Sequence, residues 1–464
     1  MTPLPFSLRL CRLTLVVLAL IVTASAARAD DEDAPKDFWH QGTLTGDWGG
    51  LRKELADKNG ISFAMSYTSE VWGNVSGGMK RGASYDGVLE PEIDVDLEKL
   101  VGWTGASFSV SMLQGHGPSL SNGWVGNIMT MSGSVVTPPA TRLYNLWLQQ
   151  NLFGDVLSIR AGIMNVDAEF MTNLIGGTFL NTTFTWSSWA GADLPGGGPA
   201  NPLSAPGVRV RVKPPIDHSY IRAAVFSGDP TGHEGSNSAS TGIPSGTVIS
   251  FNGGVFAIAE AGYEVNQKQD DKGPPAAFRL GGFYHSSNHF QDQRFATDGL
   301  SLADPLSTGV PLEHHGDWGI YASADGTFYQ TGDGNSLSGF LRVGTVTPGD
   351  RNLISLYADA GLTYSGLIPG RADDTAGIAV GFARIGDHAR GLDQDTRFFT
   401  GNPLFPVRSQ EVVLEVTYKA QLTPWLTMQP DFQYVFNPSG GVLNPDGSPR
   451  RNAVVLGFRS VVTF

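Results

Sequence analysis

Near the end of the chain every second residue is apolar or aromatic, and the charged residues fall only on the positions between them. One set of alternate positions holds Val412, Leu414, Val416 and Tyr418, and the other holds Glu411, Val413, Glu415, Thr417 and Lys419. Successive side chains of a β-strand point to opposite faces of the sheet. A base on the lipid face of a membrane sheet costs about 2–4 kcal/mol at mid-membrane, so the charged set must avoid lipid. The alternation therefore predicts a sheet closed around a water-filled lumen, with the charged set facing inward.

Sixteen segments show this period of two. We predict strands at residues 61–74, 88–98, 106–114, 141–150, 156–165, 207–213, 219–228, 254–266, 276–286, 317–330, 337–346, 353–363, 374–385, 409–420, 425–436 and 452–464. Linkers after even strands are short and those after odd strands are mostly long, except residues 347–352. Transmembrane barrels have short periplasmic turns and long outer loops, whereas a soluble β-sandwich has no reason to follow this rule. We predict an all-β fold, a 16-stranded antiparallel transmembrane β-barrel.

The first residues carry an export signal. Arg9 and Arg12 precede an apolar run at residues 13–22, and Ala27-Arg28-Ala29 forms a cleavage site. Ten apolar residues are too few to cross a membrane as a helix, which needs about 20. We predict a signal peptide at residues 1–29, a periplasmic N-terminal segment at 30–60 with a short helix at 47–58, and the barrel at 61–464.

The charge balance excludes several classes of protein. Removing residues 1–29 takes away three arginines and no acid, which leaves 28 bases against 44 acids, a formal charge of −16. Such an acidic chain is not expected to bind nucleic acid. Only 41% of residues are hydrophobic and there is no second long apolar run, which excludes a helical membrane protein. The one cysteine, Cys11, lies in the predicted signal peptide, and we predict neither a metal site nor a cofactor.

Three stretches, far apart but in order, carry a family resemblance. They are residues 44–52 (LTGDWGGLR), 366–374 (GLIPGRADD) and 422–431, with LTPWL followed by QPD. Together they resemble the carbohydrate-selective porins of the OprB type. The resemblance implies a sixteen-stranded porin, a homotrimer or a monomer, in contact with lipid and lipopolysaccharide of a Gram-negative outer membrane. It also implies passive diffusion of small, glucose-like mono- and oligosaccharides, and a short N-terminal helix that plugs the periplasmic mouth; a folding leader outside the lumen remains the alternative.

A pore that favours sugars should offer carboxylates as acceptors and arginines as donors at a narrow point. The longest linker, residues 166–206, is the predicted constriction loop. The predicted substrate-binding residues are Arg160, Arg209, Arg211, Asp167, Glu169, Trp186 and Trp189. The predicted pore-lining residues are Glu70, Glu90, Glu92, Asp94, Arg279, Arg342, Arg384, Glu411, Glu415 and Lys419. Two alternatives stay open for these sets, since lumen charges also solvate any wet barrel and the two tryptophans also suit packing.

Two other functions compete with a sugar channel. A general or cation-preferring diffusion porin is favoured by the −16 balance and by the acidic second strand. An outer-membrane hydrolase needs a nucleophile beside a base, and no such motif is recognisable among the histidines and serines of the chain. We therefore predict that the protein is not an enzyme.

Overall fold

The computed structural model describes residues 37–464 except 137, 232–244, 248–250, 252, 268–270, 272, 332 and 333. The predicted signal peptide lies outside the described residues. The chain divides into two units, Met1–Gln41 and Gly42–Phe464. In the described part of the first unit, the Asp37 carboxylate accepts hydrogen bonds from the backbone amides of Trp39 and His40, at 3.0 and 3.1 Å.

The second unit is a β-barrel. Its strands are β1 (Ile61–Gly78), β2 (Gly82–Asp96), β3 (Ala106–His116), β4 (Ala140–Leu152), β5 (Leu157–Met164), β6 (Ala205–Val212), β7 (Ser219–Ser227), β8 (Val255–Val265), β9 (Ala276–His285), β10 (Phe290–Ala296), β11 (Pro311–His314), β12 (Asp317–Gln330), β13 (Ser336–Val346), β14 (Ile354–Ser365), β15 (Thr375–Ile385), β16 (Gln410–Thr423), β17 (Leu426–Phe436) and β18 (Arg451–Thr463). Strands β10 and β11 form a separate hairpin, and the other sixteen form a closed ring. Every pair is antiparallel and β1 joins β18, so the predicted fold class is confirmed.

The helices are short. They are α1 (Leu51–Asn59), α2 (Leu97–Val101), α3 (Ser188–Asp193) and α4 (Asp387–Phe399). Helix α1 begins after a 3₁₀ turn at Trp48–Gly50 and ends at Gly60, whose φ of 68° gives the left-handed conformation expected of a glycine after a helix.

Strands β10 and β11 were not predicted; among the sixteen barrel strands, the largest difference from the predicted bounds lies at β1 and β2. The predicted strands stopped at residue 74 and began again at residue 88, whereas in the structure only residues 79–81 separate β1 from β2. Glycines and serines interrupt the apolar alternation here, but Asn74 still pairs with Gly82 in the ladder. At the other end β2 stops at Asp96, because the Asp96 side chain accepts hydrogen bonds from the amides of Glu98 and Lys99 and so caps α2.

Helix α1 is attached at the seam of the barrel. None of its residues is buried. Its Arg52 guanidinium donates to the carbonyl oxygens of Phe63 and Phe464, at 2.7 and 2.8 Å, and therefore bridges the beginning of β1 and the chain's last residue, next to β18.

The hydrophobic core lies inside the barrel. Outward residues such as Val208, Phe278 and Leu341 are exposed, as expected of side chains that face lipid. The buried cluster instead joins inward wall residues such as Phe340 to Phe184, which lies between β5 and β6. The lumen is thus partly filled by connecting segments. Among the described residues, no helix is both long and apolar enough to cross a membrane.

Candidate pore constriction

The segment between β5 and β6, residues 165–204, crosses the lumen. On the far side, the Glu415 carboxylate accepts hydrogen bonds from the backbone amides of Leu180 (2.6 Å) and Asn181 (2.9 Å). Arg342 donates to the carbonyl oxygens of Met171 and Thr183, both at 2.6 Å. We call this segment the constriction loop; it corresponds to the linker predicted at residues 166–206. The strands β13–β17, which carry Arg342 and Glu415, are called the anchoring wall.

Aromatic packing reinforces this attachment. Phe184 lies 5.3 Å from Phe179 and 6.1 Å from Phe340 of β13, measured between ring centroids. Trp189 of α3 packs 5.3 Å from Phe283 of β9. Aromatic rings at 4.5–7 Å and at an angle interact favourably, so the loop is fixed by packing as well as by hydrogen bonds.

A second segment, residues 117–136, also folds inward. Glu411 accepts hydrogen bonds from the backbone amides of Ile128 and Met129, and Gln433 donates to the carbonyl oxygen of Met131 at 2.9 Å. The alternation pattern did not predict that this second segment folds inward. A signal was present, because residues 117–141 and 170–192 contain no charged residue, which is unusual for loops exposed to water.

The constriction loop meets the opposite wall in a network of charges. The Glu169 carboxylate of the loop lies 3.1 Å from Arg160 of β5 and 2.9 Å from Arg209 of β6. The Gln149 amide oxygen accepts from both guanidinium groups, at 3.0 and 2.8 Å. The Arg160 guanidinium also lies 3.9 Å from the centre of the Trp147 ring. About a fifth of the Arg160 and Glu169 side chains stays exposed, so both can exchange hydrogen bonds with a solute. We call Gln149, Arg160, Glu169 and Arg209 the waist.

Two cavities adjoin the constriction loop. The inner cavity, of about 390 Å³, is lined by Gln149, Asn151, Asp155, Ser158, Arg160, Glu169, Arg209, Arg211, Lys213 and Arg222. Most of these residues lie near the short turns of β4–β7, which is the periplasmic end of a barrel. The outer cavity, of about 240 Å³, lies between the two inward segments and is lined by uncharged residues that include Asn122, Thr130, Thr182, Trp186 and Asn201. The two spaces thus differ in charge.

Comparison with known proteins identifies the family. The sequence profile of the carbohydrate-selective porin, OprB family, matches residues 80–464, well over half of the chain. The chain belongs to the OprB family. It is therefore an outer-membrane porin of a Gram-negative bacterium through which small carbohydrates diffuse passively. Family and fold indicate a channel rather than an enzyme.

Individual relatives of this OprB-family porin span nearly its whole length. Porin B of Pseudomonas aeruginosa is 27% identical and the alignment covers 97% of this chain and 96% of the relative. The putative porin QuiX of Acinetobacter baylyi is 21% identical over 87% of this chain and 91% of its own. The high-pH structure of Pseudomonas putida OprB has a TM-score of 0.79 at 24% identity, and the match covers 92% of this chain and 100% of that one, which shows a shared fold.

The waist contains part of the predicted substrate-binding set. Arg160, Arg209 and Glu169 are brought together, and Arg211 lines the inner cavity beside them. Asp167 does not reach the waist, because its carboxylate accepts a hydrogen bond from the amide of Asn201 at 3.1 Å within the loop.

The two tryptophans have different positions. Trp186 lines the outer cavity and donates its indole N–H to the carbonyl oxygen of Gly197 at 3.0 Å. Trp189 is 1% exposed and packs against the wall at Gly319, Gly344 and Phe283, as the packing alternative anticipated. Its burial leaves no ring face open to a sugar.

Several predicted pore-lining charges do not face water, which corrects the expectation that every inward charge does. Glu411, Glu415 and Arg342 are buried because they hold the inward segments. Glu70 and Arg279 are also buried, in ion pairs with Arg459, Asp325 and Glu264. Loops and neighbouring strands cover these side chains, and this covering is invisible in an alternation pattern.

Arg384 is a second correction. The buried positions of β15 are the odd ones, and Arg384 lies on the outward parity with the exposed Ile378 and Val380. It is paired with Asp387 at 3.3 Å where β15 ends. Arg384 is the second-last residue of β15, and Asp387 of α4 balances its charge at this strand end.

The remaining predicted pore residues keep contact with open space. Glu90 and Glu92 of β2 are half-buried, and Asp94 and Lys419 are exposed. Strands β2–β7 therefore carry the partly exposed charges Glu90, Glu92, Asp94, Arg160 and Arg211, and we call them the lining wall. Within the described part of the chain, no three metal-binding side chains are placed to hold an ion.

Proposed function

We propose that glucose-like sugars cross the barrel along the lining wall and are selected at the waist. The waist offers hydroxyl-binding groups of both kinds, with guanidinium donors on Arg160 and Arg209 and carboxylate and amide acceptors on Glu169 and Gln149. Trp147 adds an aromatic surface beneath Arg160. The observation that carries the proposal is the meeting of loop and wall charges around partly exposed Arg160 and Glu169.

Such binding must remain weak for a solute to leave the site. The waist meets this condition because its donors and acceptors already satisfy one another. A sugar hydroxyl therefore replaces an existing hydrogen bond instead of filling an unpaired site, and the net gain of an exchanged hydrogen bond is only about 1 kcal/mol.

Sugar block of the ion current in planar bilayers tests this proposal. We expect added glucose to reduce the single-channel current of the wild type. Arg160→Ala should raise the half-blocking glucose concentration about fivefold, because the exchanged hydrogen bond contributes about 1 kcal/mol. Arg384→Ala, which removes an outward arginine, is the matched control and should keep the wild-type value. Equal block in all three proteins contradicts the waist as the site of selection.

A cation-preferring general porin is the second candidate, favoured by the three acids Glu90, Glu92 and Asp94 on β2. The reversal potential under a KCl gradient distinguishes it from the first candidate. Strong cation selectivity without any glucose block supports the second candidate and contradicts the first.

We also propose a homotrimer whose exposed apolar outer face contacts outer-membrane lipid. The exposed Lys80 and Arg81, in the turn between β1 and β2, are proposed to meet phosphate groups of lipopolysaccharide. Light scattering in detergent should give the mass of three chains, and a one-chain mass refutes the trimer. The double variant Lys80→Ala, Arg81→Ala should co-purify with less lipopolysaccharide; an unchanged amount refutes this contact.

A further inference from the structure

The inner cavity is lined by more basic side chains than the two arginines of the waist. Five bases line it, against the carboxylates of Asp155 and Glu169. The bases lie in two tiers, because Arg160 is directly opposite Arg209 in the β5–β6 ladder and Arg211 is directly opposite Arg222 in the β6–β7 ladder. Like charges directly opposite in a sheet destabilise it unless an anion compensates them.

The upper tier is compensated within the protein. Glu169 pairs with both Arg160 and Arg209, at 3.1 and 2.9 Å, and Gln149 accepts from both. This tier is the waist described above.

The lower tier is compensated only in part. Arg222 pairs with the buried Glu260, but its Nε atom is buried without a hydrogen-bond partner. Arg211 forms no ion pair and no side-chain hydrogen bond with the described residues, and its buried Nε is also unpartnered. The Arg211 guanidinium lies 4.7 Å from the centre of the Tyr220 ring, and the Arg222 guanidinium lies at the same distance from that ring. The exposed Lys213, which directly follows the last residue of β6, likewise has no ion pair among the described residues.

We propose that Arg211, Arg222 and Lys213 form a subsite for the carboxylate of a sugar acid, a small polyhydroxylated monocarboxylate. A guanidinium presents parallel N–H donors that match the two oxygens of a carboxylate, and such charge-assisted pairs are stronger than neutral hydrogen bonds. Placed there, the carboxylate neutralises the lower tier while the hydroxyls of the same molecule reach Ser158, Gln149 and Glu169 above it. A cavity of about 390 Å³ lies within the usual range for small-molecule sites.

This subsite extends the proposed function, on which it rests, because it adds a charge requirement to a hydroxyl-binding waist. Glu169 offsets one of the two positive charges at the waist, whereas the positive charge of the lower tier attracts anions through its electrostatic field. The protein as a whole is acidic, with a formal charge of −13, so this attraction is a local property of the lower tier.

Paired solutes test the subsite in planar bilayers. D-gluconate and D-glucose share a carbon skeleton and differ in the carboxylate, so the ratio of their half-blocking concentrations isolates its contribution. We expect gluconate to block the wild type at a concentration about tenfold lower than glucose, and raising the KCl concentration should shrink this ratio because salt screens the charge. In Arg211→Gln the ratio should fall to about one, while Arg384→Gln should retain the wild-type ratio.

The possible outcomes separate this inference from the proposed function. If glucose does not block the wild type, the waist is refuted. If glucose blocks the wild type but gluconate blocks the wild type and Arg211→Gln at the same concentration, only the subsite is overturned. Acetate tests for charge recognition without hydroxyls. If acetate blocks as strongly as gluconate, the assignment to a sugar acid is overturned. Heat-modified mobility on gels confirms that each variant is folded, and Arg211→Lys, which keeps the charge, should recover part of the ratio.

Discussion

The lining wall and the anchoring wall both carry charged side chains that point inward, but the two sets differ in how far they are exposed to the lumen. On the anchoring wall, Arg342, Glu411 and Glu415 are buried beneath the inward segments. Their side chains form hydrogen bonds with backbone groups of those segments. On the lining wall, Arg160 and Glu92 remain partly exposed. The difference shows that inward parity decides which side chains avoid lipid, whereas the attachment of the loops decides which of them a solute meets.

The largest expected effect comes from breaking the attachment of the constriction loop. Arg342→Ala leaves the buried Asp359 without its ion-pair partner and removes the arginine donor to the carbonyl oxygen of Met171. Removing one member of a buried ion pair costs about 3–5 kcal/mol. We expect a lower midpoint of urea unfolding, a larger and noisier single-channel current, and loss of sugar block.

Arg279→Ala is the matched control for this variant. Arg279 is also a buried arginine paired with an aspartate, Asp325, but it pairs with the barrel strands, through Glu264 of β8 and Asp325 of β12, and not with an inward segment. It should lose similar stability without a change in current noise. Equal noise in both variants contradicts a special role for the anchoring wall.

Removing one glutamate from each wall compares the two walls through smaller expected changes in stability and in reversal potential. Glu411→Ala leaves the buried backbone amide of Met129 unsatisfied, which costs about 1–3 kcal/mol, and should leave the reversal potential unchanged. Glu92→Ala should change stability by less than about 0.5 kcal/mol but shift the reversal potential away from cations. Urea unfolding and bilayer recordings measure both variants. The comparison fails if the two variants lose equal stability or shift the potential equally.

The smallest expected effect lies outside both walls, at the hairpin β10–β11. Burial raises the pKa of Asp292, but hydrogen bonds from His314, His388 and backbone amides outweigh it, so this pKa lies below the ordinary 3.8. A carboxyl group with a lowered pKa in the folded state stabilises it above pH 3.8, and this contribution is lost as the pH falls through the lowered pKa.

Hydrogen exchange of β10 should therefore accelerate as the pH falls from about 4 towards 2, once corrected for the intrinsic pH dependence of exchange. Asp292→Asn, which cannot ionise at this position, should remove that excess. An unchanged pH profile in Asp292→Asn assigns the effect to another group.

The barrel itself was predictable because lipid enforces a strict rule on every strand. The period of two at Glu411–Gln421 and the short and long linkers gave sixteen strands, all of which are present. Strand ends were less predictable, as at Asn74, where glycine and serine weaken the pattern but the hydrogen-bonded ladder continues to Gly78.

The site was predictable only in part, since tertiary contacts decide it. Charge type and linker length pointed to Arg160, Arg209 and Glu169, which do come together. The burial of Glu415 depends on amides at residues 180 and 181, more than two hundred positions away, and no local pattern reports such a contact. The prediction that Arg384 lines the pore was wrong because the inward positions of β15 are the odd-numbered residues, and Arg384 lies on the other face.

Cysteine accessibility tests most directly whether solutes travel along the lining wall. Cys11 is the only cysteine, so in a Cys11→Ser background each introduced cysteine is the only thiol. A water-soluble thiol reagent added to open channels should modify Glu92→Cys and Arg211→Cys within minutes and reduce the current. Thr417→Cys and Gln433→Cys, at buried inward positions of the anchoring wall, should remain unmodified. Rapid modification on the anchoring wall, with none on the lining wall, would contradict this account.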